Sequence, residues 1–158
     1  MAGSTLGNSQ SKLNQVLRIA VENKDDEHTL HIKIPEATLI ADNFAAYRIE
    51  LTYGNERFSV FRRYSSIKKF HTRLGRKAPT LLEVLRFPKK KWFGNRSPHF
   101  LEKRRAQLEI YLQMLLSSNL FESEPIRHYI CDFLSDSDPI IKNNRLLDTI
   151  SRRQSLNS

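Results

Sequence analysis

Three short segments rich in arginine, lysine and aromatic residues could do chemistry in this 158-residue chain. Residues 61–65 read FRRYS, residues 87–94 read FPKKKWFG, and residues 102–112 read EKRRAQLEIYL. A guanidinium group binds phosphate oxygens in pairs and a lysine binds them as a point charge. The three segments therefore favour an anionic ligand that carries phosphate.

The first segment lies where a predicted strand runs into a predicted helix. Successive strand residues point to opposite faces, so Arg62 and Arg63 should point apart. The start of a helix offers backbone N–H groups and a partial positive charge, which suit a phosphate. Beside them, Tyr64 offers a flat apolar ring, and together these groups suit a phosphorylated ring. A structural arginine beside a core tyrosine is the alternative.

The second segment combines three lysines with Trp92 and Phe93 in a loop that ends in glycine. Lysines are attracted to an anionic membrane surface, and Trp is typical of the interface between headgroups and acyl chains. The loop is therefore a candidate for membrane contact. Packing of one or both aromatic side chains in a satellite core is the alternative.

The third segment places a basic side chain on the apolar face of a long helix. Arg104, Leu108 and Tyr111 follow i, i+4, i+7 spacing, so Arg104 should lie close to the protein interior. A half-buried arginine needs a partner, either an anionic ligand or an internal acid. Arg105 is turned about 100° away from it.

Alternating apolar residues predict strands at 29–34, 45–53 and 56–64, with a turn at Gly54 and Asn55 and a limit to the first strand at Pro35. Helical spacing and stop signals predict helices at 65–74, 80–85, 97–116 and 123–134, with Ser97 as the cap of the third. Three strands followed by helices indicate an α+β fold, a three-stranded antiparallel sheet packed on a helical subdomain.

The ends of the chain are predicted to lie outside this domain. Residues 1–28 form a flexible or partly helical extension, with a disordered start at 1–11, residues 29–135 form the domain, and residues 136–158 form a C-terminal helix and a loose tail. Both ends could dock a protein partner or a second copy. Ser155 in the tail fits a basophilic kinase pattern.

Composition excludes several classes of function. Fifteen basic and two acidic side chains fall between residues 61 and 105, so this segment supplies the whole excess behind the net charge of +9. A single cysteine, Cys131, rules out a disulfide framework, and its apolar neighbours predict a buried thiol. No metal-ligand spacing or glycine-rich loop is present, so we expect no enzyme, metal or cofactor. No apolar run approaches the roughly 18 residues of a membrane span, and no secretory signal is recognisable.

The order of hairpin, FRRYS, helix, FPKKKWFG and EKRRAQLEIYL closely resembles the PX (phox-homology) domain, a phosphoinositide-binding module of sorting nexins and related endosomal proteins. The resemblance implies that Arg63 binds the 3-phosphate, Tyr64 stacks on the inositol ring, Lys90 reaches the 1-phosphate, and Arg104 bonds the 4- and 5-hydroxyls. Arg62 is then structural. This set favours phosphatidylinositol 3-phosphate over other phosphoinositides.

The resemblance also implies a membrane-insertion set, made up of Trp92, Phe93, Leu39, Ile40 and Phe44. The expected location is cytoplasmic, peripheral on the early endosome membrane. One departure is that the family's proline-rich loop is reduced to Pro79 and Pro88. Binding of nucleic acid or of an acidic protein through the basic segment is the competing function; we expect no nucleic acid.

Overall fold

A three-stranded antiparallel sheet with the order β1-β2-β3 forms one layer of the protein. The computed structural model describes residues 3–23, 28–40, 44–91 and 94–143, without the side chains of residues 3–7 and 82. The elements in chain order are α1 (Gly3–Glu22), β1 (His31–Ile40), β2 (Phe44–Tyr53), β3 (Glu56–Arg63), α2 (Tyr64–Lys77), α3 (Pro79–Val84), α4 (Pro98–Leu116), a 3-10 turn (Asn119–Glu122), α5 (Glu124–Ser135) and α6 (Pro139–Lys142).

The inner face of the sheet forms one side of the core. Tyr47, Ile49 and Leu51 alternate along β2, and each is 1% exposed, as the period-2 pattern predicts. The β2–β3 turn is closed by Gly54, whose φ of +56° lies in the left-handed region. Helices cover this face, and the predicted α+β fold is confirmed.

The first strand is longer than predicted because Pro35 does not end it. The pairing of β1 with β2 shifts register between Lys33 and Glu36, and the strand then continues until Ile40 pairs with Phe44. Proline has no N–H to give to a ladder, and an irregularity in the pairing accommodates it. Residues 36–40, expected in a loop, are therefore part of the sheet.

The outer edge of β1 is bound by side chains of α4. Arg105 Nη1 donates to the carbonyl of Ile34 at 2.7 Å, Ile34 N–H donates to Glu109 Oε2 at 2.7 Å, and Gln113 Nε2 donates to the carbonyl of Ile32 at 3.1 Å. The three α4 residues follow i, i+4, i+8 spacing and so lie on one face of the helix. They determine how α4 is rotated against the sheet.

The helices begin close to the predicted positions, with local differences. Ser97 caps α4 by accepting the N–H of Phe100, as predicted. By contrast, α2 begins at Tyr64, one residue early, and Arg63 occupies its N-cap position without a side-chain cap. Helix α3 begins at Pro79, one residue before the predicted start, and its N-cap residue Ala78 provides no side-chain cap.

The N-terminal helix is packed into the core. Leu13 and Leu17 on α1 are at most 1% exposed, and α1 lies along α5, where Gln10 Nε2 donates to Asp132 and the buried Cys131 lies against α1. The expectation of a disordered start over residues 1–11 is wrong from Gly3 onward, where α1 begins. The first turns of this helix are polar and do not by themselves predict a helix, but packing of the apolar face further along stabilises it.

The described chain continues past α5 and returns to the sheet. Ser137 Oγ accepts the N–H of Phe61, and Asp138 N–H donates to the carbonyl of Phe61, so residues 137–138 lie along the outer edge of β3. Ser155 lies outside the described residues. Within the described part of the chain, no helix is long and apolar enough to span a bilayer.

Replacing Leu17 with alanine tests whether α1 belongs to the folded unit. Because the side chain is fully buried, Leu17→Ala should lower the free energy of unfolding by about 2–5 kcal/mol, measured by urea denaturation. Gln15→Ala, on the exposed face of the same helix, is the control and should change it by less than about 0.5 kcal/mol. Equal small effects of both substitutions would show that α1 does not contribute to the core.

Candidate functional site

The structure brings Arg63, Tyr64 and Arg104 together around one cavity, which we call the arginine cavity. Its volume is about 190 Å³. The other residues that line it come from the start of β2, from α2 and from the turn before α4: Phe44, Ala45, Tyr47, Ser65, Asn95 and Arg96. No carboxylate belongs to this lining.

Arg104 is buried, with 6% of its surface exposed. Its guanidinium lies between two aromatic rings, 3.9 Å from the centroid of Tyr64 and 4.3 Å from that of Phe100. Nη2 donates to the carbonyl of Lys89 at 2.9 Å, and the side chain also hydrogen-bonds to Tyr47. Among the described residues no carboxylate pairs with Arg104, and its buried Nε has no hydrogen-bond partner. The internal salt bridge considered from the sequence is therefore absent from the described residues, and cation–π contacts take its place.

Arg63 enters the cavity from the junction of β3 and α2. Its backbone N–H donates to Asp138 Oδ2 at 2.9 Å, its Nε lies 3.5 Å from the same oxygen, and its guanidinium carbon lies 5.5 Å from the centroid of the Phe44 ring. No described side chain hydrogen-bonds to its two terminal nitrogens. Those nitrogens are the part of the side chain available to an anion.

Arg62 points to another face of the sheet, as the alternation of a strand predicts. Its Nε and Nη2 donate to the carbonyl of Phe133 at 3.1 and 2.7 Å, and Nη1 donates to Asp138 Oδ1 at 2.9 Å. The guanidinium also lies 4.8 Å from the Phe133 ring centroid. Arg62 thus connects β3 to α5.

Asp138 accepts one of the backbone N–H groups at the start of α2, where the sequence predicts a phosphate. Besides the Arg63 N–H, Asp138 Oδ2 accepts the hydroxyl of Ser66 at 2.6 Å. Burial raises the pKa of this carboxyl, but the Arg63 N–H, the Ser66 hydroxyl and the Arg62 guanidinium together bring the pKa below its ordinary value. The Arg63 N–H and the Ser66 hydroxyl are therefore engaged by the protein.

The tyrosines of the cavity are neutral at physiological pH. Burial raises the pKa of Tyr47 to about 12, although the neighbouring Arg104 opposes the shift, and burial also raises the pKa of Tyr64. The charge of the cavity therefore comes from its arginines alone. The Tyr64 hydroxyl donates to the carbonyl of Pro88 at 2.6 Å, which holds the segment before the lysines against α2.

Lys90 does not line the arginine cavity. It lies with Tyr64 and Ser65 on an adjoining groove of about 460 Å³, which we call the α2 groove. The groove is lined by the exposed face of α2, with Lys68, Lys69, Thr72, Arg73 and Arg76. The cavity and the groove share Tyr64 and Ser65, so they are neighbours.

The proposed insertion residues have different positions. Ile40 is only 1% exposed because it packs with Ala46 and the fully buried Ile141, so its assignment to membrane insertion is wrong. Phe44 is half-buried and faces Arg63. Leu39, the residue before Ile40 on β1, is partly exposed. Trp92 and Phe93 lie outside the described residues.

Sequence reasoning missed four contributors to the cavity and its walls. Arg96 precedes the Ser97 cap, and its basic character was the only signal available. Tyr47 lies on the predicted strand 45–53 and Phe100 on the predicted helix 97–116, and an apolar ring on either element is ordinary core. Asp138 follows Arg63 by 75 residues, and no local pattern connects them.

Comparison with known proteins decides the family. The family model described as "PX domain" matches residues 50–137, more than half of the chain. The chain belongs to the PX domain family. A PX domain is a phosphoinositide-binding module that targets membranes rather than a catalytic domain, and the arginine cavity contains the Arg63 and Arg104 that the resemblance assigned to headgroup binding.

Relatives and a solved structure are consistent with this assignment. Sorting nexin-13 of Mus musculus is 32% identical over 85% of this chain, and kinesin-like protein KIF16B of Mus musculus is 32% identical over 70%. The chain spans only 14% and 10% of their respective lengths. The X-ray structure of a designed CISK-PX domain matches 65% of this chain and 96% of that domain, with 29% identity and a TM-score of 0.56.

A histidine lies in the aromatic layer behind the arginine cavity. His71 stacks on Phe87 with ring centroids 4.8 Å apart, and Phe87 in turn contacts Tyr64 at 5.6 Å. The Nδ1 of His71 lies 2.9 Å from the hydroxyl of Tyr111. Burial lowers the pKa of His71 because the imidazolium loses hydration.

This lowered pKa predicts a loss of stability in mild acid. The unfolded chain binds a proton at a pH near 6.5, before the folded chain does, so the free energy of unfolding should fall as the pH drops below about 6.5. His71→Gln should reduce this dependence between pH 7 and pH 5, measured by urea denaturation at each pH. His99→Gln, which removes an exposed imidazole from α4, is the control. If the free energy of unfolding depends on pH in His71→Gln as it does in the wild type, His71 is not the source of the acid sensitivity.

Proposed function

We propose that this PX domain recognises phosphatidylinositol 3-phosphate and thereby brings its parent protein to the cytoplasmic face of early endosomes. The observation that supports the proposal is the arginine cavity, in which Arg63 and Arg104 lie on a lining without carboxylates. A cavity of about 190 Å³ that is charged by arginines suits one phosphorylated ring rather than an extended polyanion.

Each assigned side chain has a chemical reason for its role. The terminal nitrogens of Arg63 can hold two oxygens of the 3-phosphate in parallel hydrogen bonds. Arg104, whose guanidinium is held between the Tyr64 and Phe100 rings, can donate to the 4- and 5-hydroxyls. Lys90, on the adjoining α2 groove, is proposed to bind the 1-phosphate, and Tyr64, which lines both the groove and the cavity, to contact the inositol ring.

Membrane association adds two non-specific contributions. The exposed lysines and arginines of the α2 groove attract the domain to an anionic leaflet, at about 1 kcal/mol for each basic residue near the surface. Trp92, Phe93 and Leu39 are proposed to enter the interface between headgroups and acyl chains. Binding of one headgroup then holds these weak contacts at high effective concentration.

Arg63→Ala tests the headgroup assignment. Removal of one partner of a buried charge pair costs about 2–5 kcal/mol, so liposome binding should fall by about thirtyfold or more in sedimentation with phosphatidylinositol 3-phosphate vesicles. Arg57→Ala, which removes the same charge from an exposed position on β3, is the matched control and should bind almost normally.

The same sedimentation assay with a panel of 3-, 4-, 5- and bis-phosphorylated vesicles tests the lipid preference. The wild-type chain should prefer the 3-phosphorylated lipid. Equal binding to all of them, or a preference for a 4- or 5-phosphate, would contradict the proposed specificity. Undiminished binding by Arg63→Ala would contradict the role of the arginine cavity.

Trp92→Ala and Phe93→Ala test the insertion step. Each should weaken binding to vesicles by several-fold, since an interfacial aromatic contributes about 1–2 kcal/mol. Binding of soluble dibutanoyl phosphatidylinositol 3-phosphate, measured by calorimetry, should be unchanged. Ile110→Ala, which removes an apolar side chain that is 56% exposed on α4, is the control. Equal losses in both assays would show that the two residues do not act by insertion.

A further inference from the structure

The carboxylate of Asp138 is the centre of a buried hydrogen-bond network next to the arginine cavity. Asp138 is 4% exposed. Its two oxygens accept Arg62 Nη1 at 2.9 Å, the Arg63 N–H at 2.9 Å and the Ser66 hydroxyl at 2.6 Å, and the Arg63 Nε lies 3.5 Å away. Three donors, from residues 62, 63 and 66, thus converge on one side chain, and the buried Nε of Arg63 faces it as an ion pair without a hydrogen bond. The region that matches the PX family model ends at residue 137, one residue before it.

The segment that carries Asp138 is fixed at both ends. We call residues 137–142 the C-terminal strap. At its start, Ser137 and Asp138 exchange hydrogen bonds with both backbone groups of Phe61, at 2.8 and 3.0 Å. At its end, Ile141 is fully buried against Ile40 and Ala46. The position of the carboxylate is therefore determined by the sheet and not by the loop around it.

The strap supports Arg63 from two directions. On one side, the Asp138 carboxylate accepts the backbone N–H of Arg63 and lies 3.5 Å from the Arg63 Nε. On the other side, Ile141 packs against Ile40 and Ala46, at the ends of β1 and β2. Phe44 packs against the same cluster, and its ring faces the Arg63 guanidinium. A carboxylate on the Nε side leaves the two terminal nitrogens for the cavity, and these are the donors that a phosphate needs.

We propose that Asp138 is a positioning residue for the phosphoinositide site, which orients the Arg63 guanidinium before the headgroup arrives. An arginine free to rotate loses its rotamer freedom on binding, whereas an arginine that is already oriented does not. This inference rests on the proposed function, because it assigns Arg63 to the phosphate. It adds a residue that never touches the ligand and that lies beyond the part of the chain matched by the family model.

Calorimetry with soluble dibutanoyl phosphatidylinositol 3-phosphate tests the proposal on the full 158-residue chain. Asp138→Asn keeps the size of the side chain but turns an NH2 group toward one of the donors, so the affinity should fall by about five- to tenfold. Asp136→Asn is the matched control, since Asp136 is exposed in the same region and pairs only with Lys142 among the described residues. It should bind like the wild type.

A double-mutant cycle separates positioning from general destabilisation. The Arg63→Lys variant has a positive charge at this position but no Nε to face the carboxylate. In that background, Asp138→Asn should therefore lower the affinity for the soluble lipid by only about threefold or less. A full five- to tenfold loss in both backgrounds would mean that Asp138 acts on the fold and not on Arg63. Unchanged affinity of Asp138→Asn would also overturn the proposal. Failure of the wild type to bind would contradict the proposed function and this inference with it.

Nuclear magnetic resonance of the arginine Nε–H groups provides a readout that does not require the variant to fold. In the wild type, the Arg63 Nε–H should exchange with water more slowly than that of the exposed Arg57, because it is buried beside Asp138. Exchange as fast as that of Arg57 would overturn the proposal. Where Asp138→Asn folds, the Arg63 signal should move while that of Arg57 stays.

Discussion

The burial of the Arg104 guanidinium without a carboxylate partner is the constraint on which the site depends. Removing a charge from water is costly, and here the compensation comes from the rings of Tyr64 and Phe100, the Tyr47 hydroxyl and the carbonyl of Lys89. These partners belong to β2, α2, α4 and the loop before α4. One side chain therefore holds together the elements that surround the cavity, while its charge is left uncompensated by any described acid.

Much of the fold could be predicted because its signals are local. The alternation of Tyr47, Ile49 and Leu51 identifies β2, and Ser97 before Pro98 identifies the start of α4. The inward position of Arg104 followed from its spacing to Leu108 and Tyr111. Three motifs in the right order were sufficient to indicate the PX family, although each alone is short. In these cases neighbouring residues carry the information.

The parts that could not be predicted depend on contacts between distant segments. Pro35 looked like the end of a strand, but pairing with β2 continues beyond a register shift. Ile40 looked like a loop residue for the membrane until Ile141, a hundred positions later, proved to cover it. The N-terminus of α2 looked open, yet Asp138 takes two of the donors there. The spacing of residues in the sequence does not predict contacts between such distant segments.

The binding of α4 side chains to the edge of β1 has a consequence for association of the domain with itself. An open edge strand exposes unpaired N–H and C=O groups that another chain can use to extend the sheet. The carbonyl of Ile32 and both backbone groups of Ile34 are already bound by Gln113, Arg105 and Glu109. A protein concentrated on a membrane surface meets many copies of itself, and along this stretch of β1 a second copy would have to displace the α4 side chains before it could add a strand.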